Sequence, residues 1–173
     1  MQMMAIRCVL KNTWLGHRCP CSPTQGYLIV HAKKILVPID FSHTGDVALE
    51  YASSLAKEHN SLLMLVHVQE LPRSYWGEMY YGIPEPSREE LNNMLSDVQA
   101  GDDQVDVQYL LLSGHPAGAI VQLAEDEGVD LIVLGSHGRT GFSRAILGSV
   151  AEAIVRHATC PVLVCKPQHT VAA

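Results

Sequence analysis

From Lys33 onward, short apolar runs alternate with segments of helical period, and this alternation constrains the fold more than any other feature of the chain. The runs are ILVPI (35–39), LLMLVHV (62–68), VDVQYLLL (105–112), LIVL (131–134) and VLVC (162–165). Strands separated in this way by helical segments imply a parallel sheet with crossover helices. Leu91, Met94, Leu95 and Val98 fall at i, i+3, i+4 and i+7, as do Ala117, Ile120, Val121 and Ala124, and Ala151, Ile154, Val155 and Ala158. Each set makes one apolar stripe on a helix. A less regular helix is predicted over about residues 43–59, burying Ala48, Ala52, Leu55 and Ala56 and capped by Ser42 or Thr44.

The third run is the odd one: Val105, Val107, Tyr109 and Leu111 alternate with Asp106 and Gln108, which suits an edge strand with one wet face. The last run is apolar on both faces, and topology leaves it at the opposite edge, where an uncovered strand needs a partner. Right-handed crossovers then give an α/β fold: one doubly wound, Rossmann-like domain with a five-stranded parallel sheet in the order 3-2-1-4-5 and four helices. In such a sheet ligands bind at the carboxyl ends of strands 1 and 4, where the order reverses.

Strand 1 ends in PIDFS, placing Asp40 at that switch point, and strand 4 ends in GSHGRTGFSRAILGS, Gly135 to Ser149, a glycine-rich stretch with two arginines and no acid. Gly135 and Gly138 would let backbone N–H groups approach a ligand, and Gly148 and Ser149 begin the helix that carries Ala151, Ile154 and Val155. The unpaired N–H groups at that helix start favour an anion. A nucleotide fits this combination, with phosphates on the loop and helix and ribose hydroxyls on Asp40. The spacing is not that of a P-loop, because no lysine precedes Ser149, and no G-x-G-x-x-G follows strand 1.

Several of these residues admit a second reading. Asp40 could cap the first helix instead. The loop glycines could serve turns alone. Arg139 and Arg144 could bind phosphates or be solvated, and His137 lies close to the expected phosphates with or without touching them. His67 reads as a hydrogen-bonded core histidine. The aromatic segment 71–86, with Tyr75, Trp76, Tyr80 and Tyr81, could cover a ligand, meet a partner or pack on its own helix.

Charge narrows the partners. All 18 acids lie from Asp40 onward, so residues 1–39 carry +5 and the remainder 7 − 18 = −11, within a net charge of −6. An acidic body argues against a nucleic-acid surface. No apolar run approaches the roughly 18–20 residues that span a bilayer. Five cysteines, Cys8, Cys19, Cys21, Cys160 and Cys165, are an odd number without disulfide-framework density, so a reducing cytoplasm is expected. His17, Cys19 and Cys21 lack a second cluster to complete a four-ligand metal site, and no protein-held metal is expected.

KKILVPIDFS, LLMLVHV and DLIVLGSHGRTGFSRAILGSVAEAIVRHATCPVLVCK together resemble the universal stress protein family, over about residues 32–167. The motif G-x2-G-x9-G-[ST] of its nucleotide-binding branch is matched by Gly135, Gly138, Gly148 and Ser149. The resemblance implies ATP, with or without Mg2+, held by Pro38, Ile39 and Asp40, by Val68, by Leu134, Gly135, Ser136, His137, Gly138 and Arg139, and by Gly148, Ser149 and Val150. It also implies a homodimer through Val162, Leu163, Val164 and Cys165 of the last strand, and a protein partner that the sequence does not name.

The expected organisation is a disordered extension or early-placed start over residues 1–31, the nucleotide-binding domain over 32–167 and a flexible tail over 168–173. Rapid phosphoryl transfer needs a positioned nucleophile and charge stabilisation beyond a single carboxylate. A cytoplasmic binding or regulatory module in stress response is therefore expected rather than an enzyme. A slow ATPase or self-phosphorylating protein and a nucleotide-free dimeric adaptor are the alternatives.

Overall fold

The computed structural model describes residues 32–70, 86–101, 104–137 and 147–166. The expectations for residues 1–31, the aromatics of 71–85, Gly138, Arg139, Arg144 and the tail 168–173 lie outside them.

Five strands, β1 (Lys34–Pro38), β2 (Leu62–Gln69), β3 (Val107–Ser113), β4 (Leu131–Gly135) and β5 (Val162–Cys165), form one sheet in the order β3-β2-β1-β4-β5. Every neighbouring pair is parallel, as the sequence predicts. Four helices connect them: α1 (His43–His59), α2 (Arg88–Ser96), α3 (Pro116–Asp126) and α4 (Ser149–His157).

The period-two alternation of the strands divides the core into two layers. Ile35, Val37, Leu63, Leu65 and Val133 face α1 and α2 and pack on Ala48, Ala52, Ala56 and Leu95. Leu36, Met64, Val66, Ile132 and Leu134 face α3 and α4 and pack on Ala117, Ile120, Ala124, Ala151 and Ile154. Alanines four residues apart on α1 let the helix lie close to the sheet. Leu49, which the spacing argument passed over, is buried with them, while Leu55 is only half-buried. Ser42 is the N-cap of α1, its hydroxyl accepting from the Gly45 N–H.

The third strand departs from expectation. It begins at Val107 rather than Val105, and neither face is fully dry. Leu110 and Leu112 pack toward α3 and Val107 toward α1 and α2, yet Tyr109, on the face expected to be covered, is 40% exposed and donates its hydroxyl to the Val98 carbonyl at 2.9 Å. The cause is the brevity of α2, a nine-residue helix that buries Leu91 and Leu95 but leaves Met94 at the surface. At the other edge, Val162, Leu163 and Val164 are half-buried, whereas the Cys165 side chain turns into the core.

Candidate functional site

The polypeptide leaves β1 toward α1 on one face of the sheet and leaves β4 toward α4 on the other, so the two strand ends flank the switch point, where sheets of this order hold their ligands. Asp40 sits at the first end. Its Oδ1 accepts from the Ser42 N–H at 3.0 Å and from the Ser42 hydroxyl at 2.6 Å. Asp40 therefore braces the residue that caps α1 without capping the helix itself. A Cβ on Gly45 would come within 3.0 Å of Oδ1, so a glycine there gives the carboxylate room over the first turn. Asp40 Oδ2 makes no hydrogen bond among the described residues.

Between Asp40 and Ser42, Phe41 adopts φ 58°, a left-handed conformation that costs a bulky residue about 1–3 kcal/mol. Its ring lies 4.8 Å from that of His67. His67 Nδ1 is 2.7 Å from the Ile39 carbonyl, and the Ile39 N–H donates to the Val66 carbonyl at 2.8 Å. His67 is thus a hydrogen-bonded histidine, as its place in an apolar run suggests.

At the second end, Gly135 faces α1 rather than open space. A Cβ there would meet the Thr44 carbonyl oxygen at 2.8 Å and its carbon at 2.9 Å. The described backbone gives this glycine a packing role that the sequence did not disclose. The Thr44 hydroxyl donates to the His137 carbonyl and lies 3.0 Å from the Ser42 hydroxyl, which ties the start of α1 to the end of β4. Ser136 is buried; its N–H donates to the Cys165 carbonyl at 2.8 Å and its carbonyl accepts from the Gly148 N–H at 2.9 Å. That second bond closes the neck of the segment between them. Ser136 Oγ is 3.0 Å from His137 Nδ1, and His137 Nε2 is buried without a partner among the described residues.

Gly148 is the N-cap of α4, with φ −59° and no side-chain cap bond. That φ is open to any residue, so the local backbone does not require glycine. The N–H groups of Ser149, Val150 and Ala151 receive nothing from the cap and project the positive end of the helix dipole. Glu152, in the same turn, pairs with Arg156 at 2.7 Å.

Parity along the strands sorts the remaining candidates. Val68 and Leu134 are buried in the α3/α4 layer, and Pro38 shares the parity of Leu36 on that face. Val150, on α4, is exposed. Ile39 belongs to the opposite layer, buried beside α1, so only its backbone serves the strand end. Ser42, Thr44 and Phe41 were not singled out for this site by sequence reasoning, since their roles depend on contacts between β1, β2 and β4.

Other groups offer less chemistry. Burial pushes the Cys165 thiol up to about 11 and raises that of Cys160, so neither is a thiolate nucleophile at neutral pH. Among the described residues no cluster of His, Cys, Asp or Glu could hold a metal, and no helix is long and apolar enough to cross a membrane. An open groove of about 590 Å³ between α1 and residues 98–101 is lined by none of the strand-end residues.

Residues 31–166 match the sequence profile of the Universal stress protein family. Universal stress protein MJ0577 of Methanocaldococcus jannaschii is 30% identical over 159 residues, covering 80% of this chain and 97% of its own. A second protein of that organism, universal stress protein MJ0531, is 37% identical over 142 residues, covering 78% and 82%. The solved structure of MJ0577 superposes with a TM-score of 0.57 at 31% identity, over 80% of this chain and 98% of that one. A universal stress protein of Archaeoglobus fulgidus, solved in complex with dAMP, superposes with a TM-score of 0.56 at 25% identity, over 77% and 97%. With the profile spanning all the described residues and MJ0577 matched over 97% of its length, the chain belongs to the universal stress protein family.

Proposed function

We propose that the chain is an ATP-binding regulatory module of stress response, with the nucleotide at the crevice between β1 and β4. The observation that carries this reading is the pairing, at one switch point, of an Asp40 carboxylate oxygen that takes no hydrogen bond among the described residues with an α4 N-terminus whose Gly148 cap offers no side-chain acceptor. Pro38, Val68 and Leu134 offer an apolar wall for the base, Asp40 Oδ2 accepts from the ribose hydroxyls, and the amides of Ser149 to Ala151 receive phosphate oxygens. The unpartnered His137 Nε2 is a further polar atom at the same strand end. Gly138 and Arg139 complete the G-x2-G-x9-G-[ST] motif from outside the described residues. The dAMP complex of the A. fulgidus relative supports an adenine nucleotide. Magnesium, where present, would be carried by the phosphates, since the described residues supply no cluster for it.

Holding is favoured over turnover. Asp40 is committed to Ser42 through one oxygen, and among the described residues no second carboxylate is hydrogen-bonded to it, whereas rapid phosphoryl transfer needs a positioned nucleophile and added charge stabilisation. We place the protein in the cytoplasm on its cysteine usage.

The test is calorimetry with ATP on the wild type and on Asp40→Asn. The amide oxygen can keep both bonds to Ser42 while Nδ2 replaces the acceptor that faces the ligand. ATP affinity should fall by about 1–3 kcal/mol, the usual cost of an unmatched polar contact, with little change in melting temperature. An unchanged affinity removes Asp40 from the site. Single-turnover assays with magnesium test the holding role, and fast hydrolysis would refute it.

The same reading includes a homodimer through β5. Among the described residues no strand pairs with its outer edge, which lies beside the half-buried Val162, Leu163 and Val164, and pairing with a second copy across a two-fold axis would cover both. Val164→Pro removes a donor and fixes φ, so sedimentation should show the wild type as a dimer and the variant as a monomer or as aggregates. A monomeric wild type refutes the dimer, and a dimeric proline variant moves its interface elsewhere.

A further inference from the structure

We propose that His67 is a positioning residue that sets the free oxygen of Asp40 for ribose recognition, an inference that rests on the nucleotide reading above. A carbonyl oxygen has only lone pairs to offer, so the 2.7 Å contact to Ile39 requires His67 Nδ1 to carry the proton and donate. The Ile39 N–H is taken by Val66, the residue before His67 on β2. Both backbone polar groups of the residue preceding Asp40 are therefore held by adjacent positions of one strand. On the other side of Asp40, the Phe41 ring rests at 4.8 Å and 43° against the His67 ring. One imidazole grips the chain before the carboxylate and the side chain after it.

The left-handed Phe41 gives this grip its purpose. A bulky residue remains at φ 58° only where its surroundings determine it, and glycine would occupy the same conformation without such support. The turn at Phe41 brings the Ser42 N–H and hydroxyl back onto Asp40 Oδ1, which fixes the carboxylate and leaves Oδ2 without a partner among the described residues. Without the Nδ1 bond, the strand exit loses one of the two contacts that His67 gives it, and the carboxylate loses its fixed direction. His67 thereby governs ribose selectivity without needing to touch the nucleotide.

The experiment compares ATP with 2′,3′-dideoxy-ATP by calorimetry on the full chain, for the wild type, His67→Phe, His67→Asn and His67→Gln, with thermal melts to establish folding. Asparagine can place its amide N–H near the position of Nδ1, glutamine places it nearer Nε2, and phenylalanine keeps the ring alone. Wild type and His67→Asn should prefer ATP about tenfold or more, whereas His67→Phe and His67→Gln should fall to within about twofold, the ratio expected when hydrogen bonds to a charged acceptor are lost. If His67→Phe does not fold, the contrast between asparagine and glutamine gives the same answer. A preference retained in His67→Phe or His67→Gln, with both affinities moving together, overturns the positioning role while leaving nucleotide binding intact. A wild type that binds ATP without preferring it to the dideoxy analogue also overturns it, and a wild type that binds no adenine nucleotide removes the functional reading itself.

Discussion

Gly135→Ala should destabilise the protein by about 1–3 kcal/mol, a fall in melting temperature of about 2–12 °C, with Gly135→Val worse again. The added methyl would stand 2.8 Å from the Thr44 carbonyl oxygen and 2.9 Å from its carbon, and backbone cannot swing aside as a side-chain tip can. Relief requires the first turn of α1 to lift away from β4. The Thr44 bond to the His137 carbonyl would then lengthen, and the Ser42 and Asp40 contacts in the same turn would shift with it. Nucleotide affinity should fall together with stability. Thermal melts and calorimetry on one preparation check this, and a stable Gly135→Ala protein with full affinity would show that α1 yields at no cost.

Gly148→Asp should separate the two quantities. Aspartate is a favoured N-cap, and its carboxylate can accept the first-turn amides of α4 that the present cap leaves unserved, so the fold should gain a few tenths of a kcal/mol. The same carboxylate would occupy the place proposed for phosphate and repel it. ATP affinity should drop by about a hundredfold or more, in line with lost charge-assisted bonds and added like-charge repulsion. Gly148→Ser tests the cap alone, since it supplies a hydroxyl acceptor without charge. Undiminished ATP affinity in a folded Gly148→Asp protein would move the phosphates away from this helix.

The sheet order was legible because each strand is a short apolar run and each helix repeats its apolar residues at helical spacing. Ile132 and Val133, buried in opposite layers, show why a continuous run reads as a central strand. Asp40 and Gly148 could be placed at the switch point from topology alone. The face of Ile39 was also available from parity with Ile35 and Val37, but a contact segment taken as a block conceals it. Two features were not available. The left-handed turn falls on a phenylalanine, which carries none of the local preference that glycine or asparagine would. The reason for Gly135 is an atom of Thr44, which is distant in sequence and reaches it only when α1 crosses β4. The incomplete cover on β3 likewise follows from where α2 stops, and its apolar pattern reads on through Val98, beyond the helix end.

The bond between the Ser136 carbonyl and the Gly148 N–H has an evolutionary side. It joins the end of β4 to the N-cap of α4 through main-chain atoms alone, so these two positions of the glycine motif are held together by the scaffold itself. Selection on ligand contacts at this strand end therefore acts against a constant background, because most side-chain substitutions at Ser136 and Gly148 leave the bond between their main chains in place.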